Sequence, residues 1–161
     1  MKIKLNSIKL LEVQTKIGWY VLEEMAHIIL EFYDKLSLWE HEIVHESDLS
    51  LPQMHALEVI GFYGNAKAKE ISGKLGVTTG TFTVMMNTLE KKDLIIKKTN
   101  PEDNRSIIIS LTEKGNEIYK EHHKYHHELI LDICSKCNDE ELSNLRNILT
   151  KITKSFWRNI I

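Results

Sequence analysis

The chain has 161 residues, which is the length of one domain with a core of its own, or of one domain plus a dimerisation appendage. Its 21 basic and 23 acidic side chains leave a net charge of −2, and 42% of the residues are hydrophobic while 27% are charged. This balance is typical of a globular protein and excludes a disordered, collagen-like or disulfide-stapled chain. Seven glycines and two prolines are few for this length, so the composition predicts few turns and a mainly helical fold.

No segment of the sequence has the pattern of a signal peptide or a membrane span. Charged residues interrupt the apolar positions among the first twenty residues, and no run of about 18 apolar residues follows. We therefore expect a cytoplasmic protein that makes no membrane contact. In a reducing compartment Cys134 and Cys137 are expected to stay free thiols, either packed as small apolar groups or acting as a redox sensor.

Three helices are predicted in the first half of the chain. Apolar residues at helical spacing indicate a long helix over residues 17–46, with a stripe made of Ile17, Val21, Ile28, Phe32, Leu36 and Trp39. A second helix is expected from Leu51 to a break at residues 61–64, because Pro52 fits a first helical turn, where the missing N–H costs nothing. A short third helix is predicted over residues 67–75.

A fourth helix is predicted over residues 79–92, after a turn at Gly76 and a capping hydroxyl at Thr78. Its apolar positions fall at i, i+3, i+4 and i+7, which predicts one buried stripe formed by Phe82, Met85, Met86 and Leu89. The opposite face is small, polar and mildly basic, and it contains Gly80, Thr83, Val84, Asn87 and Lys91. We expect this face to meet a polar partner.

The only strongly β-branched runs of the chain follow this helix. Residues 94–99 and 105–111 are separated by the turn-forming residues 100–104, which predicts one two-stranded hairpin. Thr112 is expected to cap a long fifth helix that ends at about Lys136. The residues from Asn138 to Glu141 resemble a capping box for a last helix, whose apolar stripe is Leu142, Leu145, Leu149, Ile152, Phe156 and Ile160.

Two helices joined by a tight glycine turn and followed by a hairpin are typical of a winged helix-turn-helix, whose second helix enters the major groove. Residues 63–111 carry eight basic and five acidic side chains, whereas the rest of the chain carries 13 basic and 18 acidic ones. The locally positive charge favours a phosphate backbone as partner.

The sequence resembles the MarR family of bacterial transcription regulators from about residue 17 to residue 157. The resemblance rests on residues 70–77 (EISGKLGV), 81–92 (TFTVMMNTLEKK), 101–106 (PEDNRS) and 111–115 (LTEKG). Asn104 departs from the family pattern, which has arginine there, and Asp93 stands where the family usually has glycine. Residues 54–61 (MHALEVIG), 77–81 (VTTGT) and 122–126 (HHKYH) are similar to the FabT-like branch, which represses fatty-acid synthesis.

The resemblance implies a mainly α, homodimeric winged helix-turn-helix protein with a small β-hairpin wing. It implies that residues 1–161 form a single MarR-like domain, with dimerisation helices at about 1–50 and 112–161 and a DNA-binding lobe at about 51–111. The partner is then double-stranded DNA with a pseudo-palindromic operator. The FabT-like motifs imply an acyl chain on acyl carrier protein as corepressor, and an effector pocket that contains His55, His122, Tyr125 and His126.

The DNA-binding residues expected on this basis lie on the fourth helix and the wing. The wing residues so assigned are Asp103, Asn104 and Arg105. The Arg105 side chain suits a narrow minor groove, and in this family the residue at the position of Asp103 commonly orients it. Threonine hydroxyls bind phosphates, asparagine pairs with an adenine edge and valine contacts a thymine methyl group. The helix residues so assigned are Thr79, Thr81, Thr83, Val84, Asn87 and Lys91, although the threonines are also explained as caps of the helix start.

Histidines four residues apart on a helix can bind one metal ion. Such pairs occur at His41 and His45 and at His122 and His126, and zinc-sensing members of the family carry histidines at the start of the fifth helix. A zinc-responsive regulator of metal uptake is therefore the alternative to a repressor without a cofactor. The more distant alternative is a helical interaction module that does not bind DNA. No phosphate loop, paired carboxylates or serine motif predicts an enzyme.

Overall fold

The computed structural model describes residues 17–45 and 47–158, with side chains up to residue 154. The expectations for the N-terminal segment, and those for Phe156 and Ile160 in the last stripe, lie outside the described residues and side chains. The predicted mainly helical class with a small sheet is confirmed. The elements in chain order are α1 (Trp19–His45), α2 (Leu51–Tyr63), β1 (Ala66–Lys67), α3 (Ala68–Leu75), α4 (Thr79–Lys91), β2 (Ile95–Asn100), β3 (Asp103–Leu111), α5 (Glu113–Ser135) and α6 (Asp139–Arg158).

Most helix ends follow the predicted signals. Gly76 has φ +63° after α3, and the Thr78 hydroxyl accepts the Thr81 N–H at 3.2 Å. The N–H groups of Asn138 and Glu141 each donate to the other residue's side chain, at 2.9 and 3.0 Å, which completes the predicted capping box. The predicted start of the first helix is wrong, because Gly18 has φ +79° and α1 begins after it.

The sheet has three strands, which corrects the two-stranded prediction. Its order is β1-β3-β2, and both pairs are antiparallel, with Ala66 opposite Ile109 and Ile95 opposite Leu111. The added strand, β1, has two residues and is too short to show an alternating pattern in the sequence. It joins the start of α3 to the wing, so α3, α4 and the sheet form one packed lobe.

Residues 38–128 form one compact unit with an apolar core. Two glycines permit close packing within that unit. A Cβ atom on Gly115 would lie 2.0 Å from the Leu94 carbonyl oxygen, and one on Gly61 would lie 2.6 Å from the Tyr119 ring. The largest fully buried side chains are Met54, Leu57, Ile60, Ile71, Met86, Leu89, Leu94 and Ile109.

A second unit contains residues 17–37 and 129–158 of the described chain. Its helices expose many large apolar side chains, among them Trp19, Ile28, Ile29, Phe32, Ile130, Leu131, Ile148 and Leu149. Cys134 and Cys137 are unbridged and partly buried there. Among the described residues, none of the helices combines the length and apolarity that a membrane crossing needs. The predicted division near residues 50 and 111 stays a prediction.

Candidate DNA-binding surface and histidine cluster

Helix α4 has the two faces that its sequence predicts. Phe82, Met85, Met86 and Leu89 are buried in the core. On the opposite side the predicted residues are exposed, and Val84 keeps 68% of its surface accessible. An apolar side chain held this far out of the core is available to contact a partner.

The threonines of α4 are bonded within their own helix. The Thr83 hydroxyl donates to the Thr79 carbonyl oxygen at 2.8 Å, and the Thr81 hydroxyl lies 3.0 Å from that of Thr78. Phosphate oxygens at neutral pH accept hydrogen bonds and have little to donate, so Thr83 must release its intrahelical bond before it can bind one. These contacts match the alternative in which the threonines cap the start of the helix. Thr81 and Thr83 remain exposed.

A lysine of the wing contacts the polar face of α4. The Lys97 ammonium donates to Asn87 Oδ1 at 2.7 Å and to Glu90 Oε2 at 2.8 Å. Lys97 is not among the residues predicted from the sequence, although strand alternation places it on the same side of β2 as the buried Ile95, where a charge is unusual. Lys91, at the end of α4, is exposed.

The predicted wing residues are the first three residues of β3, directly after the turn that joins it to β2. Asp103, Asn104 and Arg105 are all exposed. The Asp103 carboxylate accepts the backbone N–H of Arg105 at 3.1 Å, so it shapes the turn through the main chain, whereas the resemblance expects it to orient the side chain. Asn100, which is 2% exposed, anchors the same turn by donating to Ser106 Oγ at 2.9 Å.

Three side chains of types that can bind a metal ion lie together between α2 and α5. His122 is 2% exposed, and its Nε2 atom lies 3.1 Å from His126 Nε2 and 3.8 Å from Glu58 Oε1. His126 Nε2 lies 3.7 Å from the same carboxylate oxygen. Glu58 was missed in the sequence, where its position three residues after His55 on an otherwise apolar helix is the available signal.

Burial governs the protonation of His122. Burial, together with the nearby imidazoles of His126, His55 and His123, lowers the pKa of His122 to about 4. The Nδ1 atom of His122 is buried without a hydrogen-bond partner. His122 is therefore neutral at neutral pH, which is the form that binds metal ions.

A cavity of about 290 Å³ lies beside the cluster. Its lining residues are Ile43, Ser47, Asp48, Met54, Ile118, Glu121, His122 and Tyr125. Of the predicted effector residues, His122 and Tyr125 line this cavity, whereas His55 and His126 do not. His55 Nε2 instead lies 3.6 Å from Glu40 Oε2.

The predicted four-histidine metal set is not brought together. Among the described residues, the group that can share one ion is Glu58, His122 and His126. His41 and His45 are exposed residues of α1 and do not belong to it. Spacing along one helix predicts which two side chains share a face, but a third ligand from another helix depends on packing.

Comparisons with known proteins agree with the fold. The profile of the MarR family matches residues 49–107, a range that reaches from just before α2 into β3. The organic hydroperoxide resistance transcriptional regulator of Bacillus subtilis is 32% identical over 107 residues, which cover 66% of this chain and 71% of that protein. The chain belongs to the MarR family. It is accordingly a DNA-binding transcriptional regulator and not an enzyme.

Other MarR-type proteins are similar over different lengths. The chain spans about half of the uncharacterized regulator YfiV of Bacillus subtilis: the two are 32% identical over 73 residues, which are 45% of this chain and 46% of that protein. The crystal structure of Streptococcus pneumoniae FabT in complex with DNA superposes with a TM-score of 0.79 at 25% identity. That match covers 85% of this chain and 98% of FabT.

The backbone conformation at Asp93 explains why the MarR pattern usually has glycine at this position. Asp93 is the one non-glycine residue of the described chain with a positive φ, at +59°. Its N–H donates to the Glu90 carbonyl oxygen, and its own carbonyl oxygen accepts the Thr112 hydroxyl at 2.7 Å. Aspartate tolerates this left-handed conformation better than most residues, which lets the chain keep the family turn without glycine.

Proposed function

We propose that this protein is a homodimeric repressor of fatty-acid-synthesis genes, which binds its operator through α4 and the wing. The observation that carries the proposal is the exposed polar face of α4 beside an exposed arginine wing, in a chain that superposes over nearly the whole of DNA-bound FabT. In winged helix-turn-helix proteins a helix in this position reads base edges in the major groove.

The apolar surface of the second unit supports a homodimer. Contiguous exposed apolar patches larger than a few hundred Å² mark interaction sites. Here the exposed apolar side chains belong to α1, α5 and α6. A twofold arrangement of two copies buries the same patch on each copy. Two α4 helices related by a twofold axis require a pseudo-palindromic operator, with half-sites about one helical turn, roughly 34–36 Å, apart.

The first experiment tests DNA binding and its location. Genomic fragments retained by the protein are sequenced, and binding to a recovered fragment is titrated at several salt concentrations. We expect Arg105→Ala to weaken binding about tenfold, while Arg146→Ala, which removes an exposed arginine from α6, leaves it nearly unchanged. Binding that is absent or insensitive to salt would favour a helical interaction module instead.

The corepressor proposal rests on the cavity beside His122. Ile43, Met54 and Ile118 supply apolar surface, and His122 and Tyr125 supply polar groups, at a volume near the lower limit for small-ligand sites. An acyl chain presented by acyl carrier protein would bury its hydrocarbon against the three apolar side chains. Such a ligand raises operator affinity only if it binds the DNA-competent arrangement more tightly than the free one.

Operator affinity measured with acyl-loaded and unloaded carrier protein tests this proposal. We expect the loaded form to tighten binding at least fivefold, within the usual range of allosteric coupling. Ile43→Trp should abolish the effect by filling the cavity, while Ile43→Val, which leaves room, should preserve it. No response over a series of chain lengths would reject the acyl corepressor.

A zinc-responsive regulator is the second candidate, and the Glu58, His122 and His126 cluster favours it. Two ligand atoms of a tetrahedral zinc ion lie roughly 3.3 Å apart, and the atoms here are 3.1 to 3.8 Å apart. The buried neutral His122 and a carboxylate form a donor set that zinc accepts. Metal content of the purified protein, and operator affinity with and without a chelator, test it; Glu58→Gln should reduce zinc affinity. An unchanged affinity for DNA after chelation would reject this candidate.

A further inference from the structure

The register of the wing places Arg105 outside the ladder of paired residues. One pair joins Thr99 to Ile107, and the next pair joins Asn100 to Asp103. Between these pairs β2 advances by one residue and β3 by four, so three residues of β3 have no counterpart in β2. Arg105 is the middle residue of these three and is exposed. A bulge of this kind bends its strand and can aim a side chain away from the sheet.

Two side chains close the bulge by hydrogen bonds. Asn100 Oδ1 accepts the N–H of Glu102 at 3.1 Å, which identifies the NH₂ group as the donor to Ser106 Oγ at 2.9 Å. The Ser106 hydroxyl in turn donates to the carbonyl oxygen of Asp103 at 3.0 Å. The first and last residues of the turn and bulge, Asn100 and Ser106, are therefore joined directly by their side chains.

Burial of Asn100 fixes this arrangement. The side chain is 2% exposed although the turn and the bulge around it are largely exposed. A buried amide that loses its partners keeps the cost of its desolvation, so other conformations of this loop are disfavoured. The carboxylate of Asp103 adds a bond to the main-chain N–H of Arg105, at 3.1 Å, inside the bulge. The main chain that carries the arginine is thus held from both ends and at its centre.

We infer that Asn100 is a positioning residue for DNA binding, which with Ser106 holds the bulge in the conformation that presents Arg105 to the minor groove. The inference rests on the proposed function, in which Arg105 contacts the operator. A loop that is ordered before binding does not lose conformational freedom when the complex forms, so its contact contributes more to affinity. An arginine in the minor groove favours the narrow groove of A·T-rich sequence, and a fixed bulge keeps it over the same base pairs.

Operator affinity of single variants tests the inference. Asn100→Ala and Ser106→Ala should each weaken binding about three- to tenfold, because the loosened bulge must be ordered during binding. The upper limit is the loss expected for Arg105→Ala, since positioning contributes no more than the contact that it positions. Ser106→Thr keeps the hydroxyl and should bind like the wild type. Ser110→Ala removes another partly buried hydroxyl of β3, outside the bulge, and is the matched control.

Two further measurements separate positioning from a general loss of structure. Combining Asn100→Ala with Arg105→Ala should weaken binding no more than Arg105→Ala alone, because no arginine is left to position; a loss equal to the product of the two single losses would overturn the inference. In selection from a randomised operator library, Asn100→Ala should relax the A·T preference under the wing and keep the base preferences under α4. Equal relaxation at both places would also contradict the inference.

The failure of this inference and the failure of the proposed function give different results. If Arg105→Ala weakens binding while Asn100→Ala and Ser106→Ala do not, the inference is overturned and the proposed function stands. If Arg105→Ala leaves affinity unchanged, the proposed wing contact and the inference both fail. Thermal melting shows whether each variant is folded at the assay temperature, and Ser106→Ala supplies the test if Asn100→Ala is not.

Discussion

Acidification should destabilise this protein through one buried side chain, His122. The imidazole is 2% exposed and faces Glu58 and His55 from α2, with His126 and His123 on its own helix. Burial and, to a smaller extent, the neighbouring imidazoles lower its pKa to about 4 in the folded chain, against an ordinary value of 6.5. The folded state therefore disfavours the protonated imidazole.

The sign and size of the effect follow from linkage. As the pH falls below 6.5, the unfolded chain binds a proton at His122 that the folded chain does not, so the free energy of unfolding decreases. The contribution is fully present above pH 6.5, and its loss is complete below about pH 4. A difference of roughly 2.5 pKa units corresponds to about 3 kcal/mol in total, and about 2 kcal/mol of it is lost by pH 5.

Urea unfolding at pH 7.5 and pH 5.0 measures this loss, at one protein concentration and with a chelator present so that no metal ion holds the imidazole neutral. The wild type should lose about 2 kcal/mol more between the two pH values than His122→Gln, because all other titrations are common to both proteins. His127→Gln, which replaces an exposed histidine of the same helix, should behave like the wild type. An equal loss in the wild type and His122→Gln would refute the reasoning.

Three smaller changes test the packing of the winged-helix lobe. Gly115→Ala would place a Cβ atom 2.0 Å from the Leu94 carbonyl oxygen and should lower the free energy of unfolding, measured in urea, by at least about 1–3 kcal/mol. As the control, Gly73→Ala adds a Cβ atom with no other atom within 4 Å and should leave that free energy unchanged or raise it. Asp93→Gly should raise the melting temperature by a few degrees, because it relieves φ +59°; a lower melting temperature would contradict this. Thr78→Ala removes the α4 cap and should lower the free energy of unfolding by about 1 kcal/mol. An unchanged midpoint of urea unfolding would show that the cap contributes nothing to stability.

The local elements of this protein could be predicted from its sequence. The stripe from Phe82 to Leu89 and the reciprocal cap at Asn138 and Glu141 appear in the structure where the sequence indicates them. Helix periodicity and capping depend on residues three or four apart, so the chain determines them without reference to its distant parts. The family resemblance likewise depends on short motifs, and the family is confirmed.

Tertiary structure alone decided which distant side chains meet. The two-residue strand β1 exists because β3 is available to pair with it, and Glu58 joins His122 because α2 packs against α5. Lys97 donates to the oxygen of Asn87 because β2 lies beside α4. These partners lie on different elements, and their contacts depend on how the core packs, for which local spacing carries no signal.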